Sequence, residues 1–314
     1  MNTKKLTTII LTGTIAMQLN VSSVNAKQKS FELSEDSIIY EEEANTNTNT
    51  NTNTNKSKVQ SFKEFLAEKA IKKTSQNQIV YIDSAHSIAK LTDILYRQDV
   101  SHKIFKDGNF INATRLDIAQ HLMVEPRMGT NKFKYQFMRI DSYHDIKSSS
   151  LDNFLKNKGV FNGHANDFVN AAKKYNIDPI YLVSHAMLES GNGTSTLARG
   201  TEIEGKIYYN FFGINAFDAN PTYGGLSLAQ KEDWSSVSKA IDGGAKWIAE
   251  NYLHSEKHNQ KTIYNMRFNP HSKNPWHLYA TDVRWADTIS SIMNELSNLY
   301  MDDSSLSYEP VNYI

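Results

Sequence analysis

The chain has 314 residues, and its 34 basic side chains balance 34 acidic ones, so the formal net charge at neutral pH is zero. Because there is no basic surplus to attract a polyanion, we expect no nucleic-acid partner. The sequence contains no cysteine, which excludes disulfides, a lipid-modified cysteine and a thiol nucleophile.

The first residues are typical of a secretory signal peptide. Lys4 and Lys5 precede a moderately apolar stretch that ends near Leu19, and Val24-Asn25-Ala26 is a small-residue cleavage site. The stretch is short and rich in threonine, so we expect no stable membrane span in the mature protein. An uncleaved N-terminal anchor is the alternative. We therefore predict a signal peptide at residues 1–26 and a secreted protein.

Residues 27–58 are predicted to be a disordered linker. Asn and Thr alternate from Asn45 to Asn55, and neither face of this stretch has an apolar side chain to bury. From residue 59 onward the chain contains enough apolar residues to form a core. We assign residues 59–142 to an N-terminal subregion, which would either line one end of a substrate groove or serve as a purely structural lobe.

Within this subregion, apolar spacing predicts one helix and two extended segments. The helix is predicted around Phe62–Ile71, because apolar side chains recur there at helical intervals. Strand and turn segments are predicted at Ile79–Ile82 and Ile104–Phe110.

Helical periodicity dominates residues 143–300, which we predict to be the catalytic module, followed by a C-terminal tail at 301–314. The fold class is therefore mainly α (α+β). A Gly-flanked alternating segment at Arg199–Tyr209 predicts a β-hairpin or mobile loop over a cleft. Besides a helix that starts at Pro179, helices are predicted at Leu151–Lys156, Asn166–Tyr175, Val237–Tyr252 and Trp285–Leu299.

The segment Leu182–Ser195 carries the strongest chemical signal. Asp178 is a suitable N-cap with Pro179 at the first helical position, and the apolar run that follows ends in Glu189 before Gly191 stops the helix. A half-buried carboxyl near the negative end of a helix dipole resists ionisation, so its pKa rises. This environment is that of a glycosidase general acid. The alternative is an ordinary solvated glutamate at a helix end.

Five ordered segments resemble the glucosaminidases of glycoside hydrolase family 73, and in particular the glucosaminidase module of staphylococcal autolysins. The likeness covers roughly Phe137 to Tyr300, and several ordered motifs are far more specific than one short pattern. The segments are YLVSHAMLESGNGTSTLAR at 181–199, YYNFFGINAFD at 208–218, AIDGGAKWI at 240–248, MRFNP at 266–270 and YATDVRWA at 279–286.

The resemblance implies a lysozyme-like catalytic module with Glu189 as general acid. It also implies a secreted, cell-wall-associated endo-β-N-acetylglucosaminidase that cleaves the β-1,4 bond after N-acetylglucosamine in peptidoglycan glycan strands. No cofactor is implied. The oligomeric state is open, and we expect a monomer.

The second catalytic group is open among several candidates. Glu202, Glu204 and Asp218 follow the Glu189 helix and are candidates to activate water or stabilise positive charge, although each could equally be a solvated loop residue. A substrate-assisted route would need no second carboxylate as nucleophile. By the resemblance, Tyr279 lines the active site and positions the sugar or water.

Sugar-binding side chains are expected to combine aromatic rings with short polar groups. Phe211 and Phe212 cannot both face a cleft, so one of them is expected in the core. The other candidates, Thr281 and Asp282, are expected to cap the following helix and orient Tyr279. The full set of binding candidates is Tyr209, Asn210, Phe211, Phe212, Asn192, Thr281 and Asp282.

Other chemistries have weak sequence support. No HExxH or similar run of metal ligands occurs, so we expect no metal site, and no Gly-x-Ser-x-Gly elbow occurs. A lytic transglycosylase or muramidase on the same scaffold is an alternative function. A non-catalytic protein that binds cell-wall glycan is a second alternative, from a different class.

Overall fold

The computed structural model describes residues 5–12, 15–22, 85–96, 101–215, 221–270, 272, 276–309 and 311. The helix predicted at Phe62–Ile71, the strand predicted at Ile79–Ile82 and the candidate Asp218 lie outside the described residues. In the described ranges, no helix is both long and apolar enough to cross a membrane.

The described strands form antiparallel pairs, each joined by a short connection. The three pairs are β1 (Lys5–Thr12) with β2 (Ile15–Ser22), β3 (Lys103–Lys106) with β4 (Asn109–Asn112), and β5 (Thr201–Ile203) with β6 (Lys206–Tyr208). The β3–β4 pair overlaps the strand and turn predicted at Ile104–Phe110, and the β5–β6 pair is the hairpin among the two alternatives predicted at 199–209.

Helices make up most of the rest, and the expected mainly α fold class is confirmed. They are α1 (Ala85–Tyr96), α2 (Arg115–Leu122), α3 (Glu125–Met128), α4 (Asn131–Lys134), α5 (Ser148–Leu155), α6 (Ala165–Lys174), α7 (Pro179–Ser190), α8 (Thr196–Arg199), α9 (Pro221–Lys231), α10 (Val237–Ile248), α11 (Ile263–Phe268) and α12 (Trp285–Leu296). Short 3₁₀ turns occur at Tyr135–Phe137, Gly159–Phe161, Ser297–Leu299 and Asp303–Ser305, and a π-helical turn occurs at Ala249–Leu253.

The main core surrounds α7, in which every residue except Leu188 is buried. Side chains from α5, α6, α10 and α12 pack around it and form one large apolar cluster. In α10, Gly244 permits this packing, because a Cβ there would lie 2.1 Å from the ring of Phe212. A helix buried all round is expected to be largely apolar, so the carboxyl group of Glu189 at its end needs explanation.

A second core joins the N-terminal elements to the later chain. Leu95, Ile118 and Phe137 pack in one cluster with Tyr264 and Val283. The backbone is joined as well: Lys103 N–H donates to the Thr281 carbonyl at 3.0 Å, and Val283 N–H donates to the Lys103 carbonyl at 2.9 Å. The β3–β4 hairpin is thereby fixed against the 281–283 segment.

Most predicted helices are confirmed, with differences at their C-terminal ends. The helix predicted at Val237–Tyr252 is α-helical only to Ile248 and then widens into the π-helical turn. The helix predicted at Trp285–Leu299 tightens into a 3₁₀ turn after Leu296. Both differences are at helix ends, where the hydrogen-bond ladder is weakest.

Candidate active site

The ends of α7 fix the position of Glu189. At the start, the Asp178 carboxylate accepts the Tyr181 backbone N–H at 2.7 Å, as expected for an N-cap. At the end, Gly191 has a left-handed φ of 58° and stops the helix. Beyond it, the Gly193 carbonyl accepts the Val160 N–H at 3.2 Å, and a Cβ on Gly159 would lie 2.1 Å from that oxygen. The turn after Glu189 is therefore closely packed.

Glu189 is more deeply buried than the half-buried carboxyl that the sequence predicted. The residue is 5% exposed, and its Oε1 accepts the indole N–H of Trp285 at 2.8 Å. Its Oε2 has no hydrogen-bond partner in the part of the chain that the structure describes. Burial raises the pKa of Glu189 well above its ordinary value; the negative charge of Asp282 adds to this, and the Trp285 hydrogen bond opposes it.

His185 lies one turn before Glu189 and is fully buried. Its Nε2 is 3.5 Å from Glu189 Oε1, and its Nδ1 is 2.9 Å from the Tyr181 hydroxyl. Burial lowers the pKa of His185 to about 3, so the ring is neutral at physiological pH. A neutral imidazole carries no positive charge that would favour the ionised form of Glu189, so His185 does not lower the pKa of this carboxyl group through its charge.

A cavity of about 170 Å³ lies against Glu189. Asp282 and Trp285 line it from the start of α12, and Phe105 and Phe110 line it from the β3–β4 hairpin. The complete lining consists of Phe105, Phe110, Leu188, Glu189, Asp282, Arg284, Trp285 and Thr288. The N-terminal subregion was predicted either to line one end of a substrate groove or to be purely structural. The position of Phe105 and Phe110 in the lining of this cavity favours the first role.

Asp282 is the other carboxyl group on this cavity. It is 7% exposed, and its Oδ1 accepts the Arg284 N–H at 3.0 Å. Its carbonyl accepts Nε of Arg267 at 2.7 Å, and the preceding carbonyl, of Thr281, accepts Nη2 of Arg267 at 2.8 Å. Burial lowers the pKa of Arg267 to about 9, which leaves it cationic at neutral pH. A buried cation therefore fixes the backbone that presents Asp282.

Tyr279 supports the site from behind. It is fully buried, and its hydroxyl donates to the Phe212 carbonyl at 2.8 Å. Its ring stacks on Trp285, with centroids 5.1 Å apart and planes 18° apart, and meets His185 edge-on at 4.5 Å. In this arrangement Tyr279 orients the indole that bonds Glu189 and does not line the cavity itself.

Several predicted sugar contacts are structural instead. Phe211 and Phe212 are both fully buried, so the expectation that one of them faces a cleft is wrong. The Asn210 amide donates to the Ile214 carbonyl at 2.7 Å and stabilises the following turn. Thr281 is fully buried. The shared reason is that the core around α7 needs apolar volume and the turn needs internal hydrogen bonds.

The remaining candidates lie away from the cavity. Tyr209 is half-buried and Asn192 is exposed, and neither lines the cavity at Glu189. Glu202 and Glu204 are exposed on the β5–β6 hairpin, and Glu204 has a left-handed φ of 51° in its turn. Neither Glu202 nor Glu204 lines the cavity, so the structure does not bring either carboxylate together with Glu189 there.

A larger groove, of about 640 Å³, lies between α6 and α10 and does not include Glu189. Its acidic side chains are engaged: Asp242 accepts Lys174 at 2.9 Å, and Asp233 accepts Lys206 at 2.6 Å. These exposed ion pairs have the character of a solvated surface. Over the described residues, no group of three or more potential ligand side chains could hold a metal ion.

A buried carboxyl group with a raised pKa beside a cavity, at the end of a central helix, is the arrangement of a glycoside-hydrolase acid on a helical scaffold. The chain belongs to the glucosaminidase family. The family model described as "Mannosyl-glycoprotein endo-beta-N-acetylglucosaminidase" matches residues 165–298, which contain Glu189, Asp282 and Trp285.

Known relatives agree with this assignment. A bifunctional autolysin of Staphylococcus epidermidis is 38% identical over 209 residues, which cover 64% of this chain and 15% of the relative. A beta-N-acetylglucosaminidase of Bacillus subtilis is 36% identical over 203 residues, which cover 64% of this chain and 23% of the relative. The chain thus spans less than a quarter of the length of these curated relatives.

The solved structure of S. aureus autolysin E in complex with the muropeptide NAM-L-Ala-D-iGlu is similar over nearly its whole length. The TM-score is 0.61 at 33% identity, covering 76% of this chain and 99% of that one. A catalytic mutant of the same protein, with a glutamate replaced by alanine, was solved with the disaccharide NAG-NAM; it has a TM-score of 0.61 at 33% identity and covers 72% of this chain and 96% of that one. The expected mainly α, lysozyme-like module is confirmed by this likeness.

Proposed function

We propose that this protein is a peptidoglycan hydrolase that cleaves the β-1,4 bond after N-acetylglucosamine in glycan strands. The observation that carries the proposal is the buried Oε2 of Glu189 beside a cavity, which has no hydrogen-bond partner among the described residues. The names of the relatives, autolysin and beta-N-acetylglucosaminidase, support the same substrate class.

In the proposed mechanism, Glu189 is the general acid. Its Oε1 accepts the Trp285 indole N–H, so the proton resides on Oε2, where it is free to be donated. Oε2 transfers this proton to the glycosidic oxygen as the bond to the anomeric carbon breaks. Water then adds its oxygen to the anomeric carbon and gives up a proton, and Glu189 is reprotonated for the next turnover.

Asp282 is the carboxylate that we assign to the developing positive charge or to the water. It lines the same cavity as Glu189, whereas Glu202 and Glu204 are exposed on the β5–β6 hairpin. A fixed negative charge beside the anomeric carbon stabilises an oxocarbenium-like transition state more than the ground state. The same charge raises the pKa of Glu189 and so favours its protonated form.

We propose that the protein acts outside the cell, in association with the cell wall. The signal peptide predicted at residues 1–26 and the likeness to autolysins support this location. Peptidoglycan is then the partner.

The test is mass spectrometry of the products that the protein releases from purified peptidoglycan, beside its Glu189→Gln variant. Gln keeps an oxygen to accept the Trp285 indole but has no proton to transfer. Reducing-end N-acetylglucosamine that disappears in the variant would support the proposal. Glu202→Gln and Glu204→Gln serve as controls with the same chemical change on exposed carboxylates, and we expect both to retain activity.

Other products would assign another function. Anhydro-muramic ends would indicate a lytic transglycosylase, and reducing-end N-acetylmuramic acid would indicate a muramidase. Binding of peptidoglycan without any released product would indicate a non-catalytic glycan-binding protein and contradict the proposal.

A further inference from the structure

Arg284 is the only cation among the described residues that line the cavity at Glu189. Its side chain is 35% exposed, and its guanidinium lies 5.2 Å from the centroid of the Phe105 ring. Its Nε is 3.5 Å from Asp282 Oδ1, at the limit of a hydrogen bond. The aromatic ring thus holds the guanidinium at the cavity, and its Nη1 and Nη2 donors have no hydrogen-bond partner in the described part of the chain.

The other cations of this region are engaged elsewhere. On the β3–β4 hairpin, Lys103 Nζ donates to Asn112 at 2.6 Å, and Lys106 Nζ donates to Asp117 at 2.7 Å. The planar fork of a guanidinium fits a carboxylate with two parallel hydrogen bonds, which an ammonium group cannot supply. Since the ring of Phe105 already limits its motion, Arg284 loses less conformational entropy when it binds an anion.

The apolar side chains around Arg284 restrict the class of ligand. Phe105 and Phe110 pack edge-to-face, with centroids 5.0 Å apart, and together with Leu188 they give the cavity an apolar wall. A free inorganic anion would gain nothing from that wall. A carboxylate attached to a sugar or short peptide would use both the wall and the guanidinium.

We propose that Arg284, supported by Phe105, is a specificity-determining residue that binds a carboxylate of the glycan strand next to the bond that Glu189 protonates. This inference rests on the proposed function and deepens it. The ligand group is the lactyl or peptide carboxylate carried by N-acetylmuramic acid. The protein therefore prefers carboxylate-bearing strands to neutral ones of the same backbone.

The experiment compares kcat/KM on glycan strands with that on the same strands after their carboxyl groups have been reduced to alcohols. A charge-assisted contact predicts about a tenfold preference for the carboxylate strands in the unmodified protein. In Arg284→Gln this ratio falls towards one. Arg284→Lys keeps the charge without the fork, so its ratio lies between the two.

Arg115→Gln is the matched control. Arg115 also packs on an aromatic ring, at 4.0 Å from the centroid of Tyr96, and bonds Asp93 at 3.1 Å, but it does not line the cavity. Its substitution therefore tests the loss of an arginine that has an aromatic and a carboxylate partner away from the cavity, and the substrate ratio should stay as in the unmodified protein.

Two results would overturn the inference: a ratio near one in the unmodified protein, or an Arg284→Gln variant that loses the same factor on both substrates, as a purely structural arginine would. If no strand is cleaved at all, the proposed function fails, and the subsite is then tested by binding. Calorimetric titration with muramyl dipeptide and with N,N′-diacetylchitobiose should show a preference for the dipeptide that depends on Arg284. Equal affinities would refute the inference.

Discussion

The Trp285→Phe substitution tests the electrostatic control of the candidate acid. It removes the indole N–H that donates to Glu189 Oε1 at 2.8 Å, and it keeps an aromatic ring to stack on Tyr279. The bond favours the charged form of Glu189, so its loss raises the pKa of the acid further. A hydrogen bond to a charged group contributes about 1.5–3 kcal/mol, which corresponds to about 1–2 pH units.

The assay is the pH dependence of kcat/KM for the release of reducing ends from peptidoglycan. The alkaline limb reports deprotonation of the general acid in the free enzyme, so it should move to higher pH by about 1–2 units in the variant. Trp247→Phe is the control. The ring centroids of Trp247 and Tyr279 are 6.4 Å apart, but Trp247 has no hydrogen bond to Glu189. An alkaline limb that stays in place, or moves to lower pH, in Trp285→Phe would refute the reasoning.

Three further outcomes follow from the same charges. Asp282→Asn removes a charge that raises the pKa of Glu189, so the alkaline limb should move to lower pH in the same assay, opposite to Trp285→Phe. Glu189→Gln should stabilise the fold by about 1–3 kcal/mol in thermal unfolding at pH 8. The folded state holds the Glu189 proton above the ordinary pKa of 4.5, so stability falls as pH rises beyond that value, and the gain should shrink at pH 5. Below pH 6.5 the unfolded chain protonates histidines that stay neutral when folded, so the free energy of unfolding should fall by up to about 1.4 kcal/mol per pH unit for each, and the urea midpoint should drop steeply by pH 5. Among the described residues, the histidines whose pKa is lowered to about 3 are His102, His185 and His277. A midpoint that is flat from pH 7 to 5 would contradict this.

Local sequence signals predicted the Glu189 helix well. Asp178, Pro179 and Gly191 act on their own neighbours, so each could be interpreted without knowing the fold. The carboxyl itself was found because an apolar run ends in a single acid. Its degree of burial could not be found in this way, since the covering groups come from distant parts of the chain.

The side chains that surround Glu189 could not be predicted from the sequence. Trp285 is 96 residues away along the chain, and the sequence places it only at the start of a predicted helix, with no sign that its indole reaches Glu189. Asp282 belongs to the segment at 279–286, for which the sequence predicts a helix cap, because a motif does not show which cavity a side chain lines. Asn210 is a polar residue next to aromatic ones, a pattern that suggests sugar binding. Its amide instead donates to the Ile214 carbonyl within the same turn.

The cavity at Glu189 also shows why the family-matched segment is an incomplete description of the site. Residues 165–298 contain the acid, Asp282 and the indole, but Phe105 and Phe110 lie outside that range. The hairpin that carries them is bonded to the 281–283 backbone, and its neighbours share a core with α11. Removal of that wall would admit water to Glu189 and weaken the burial that raises its pKa. The N-terminal elements therefore contribute to this candidate site, because the burial that they give Glu189 helps to raise its pKa.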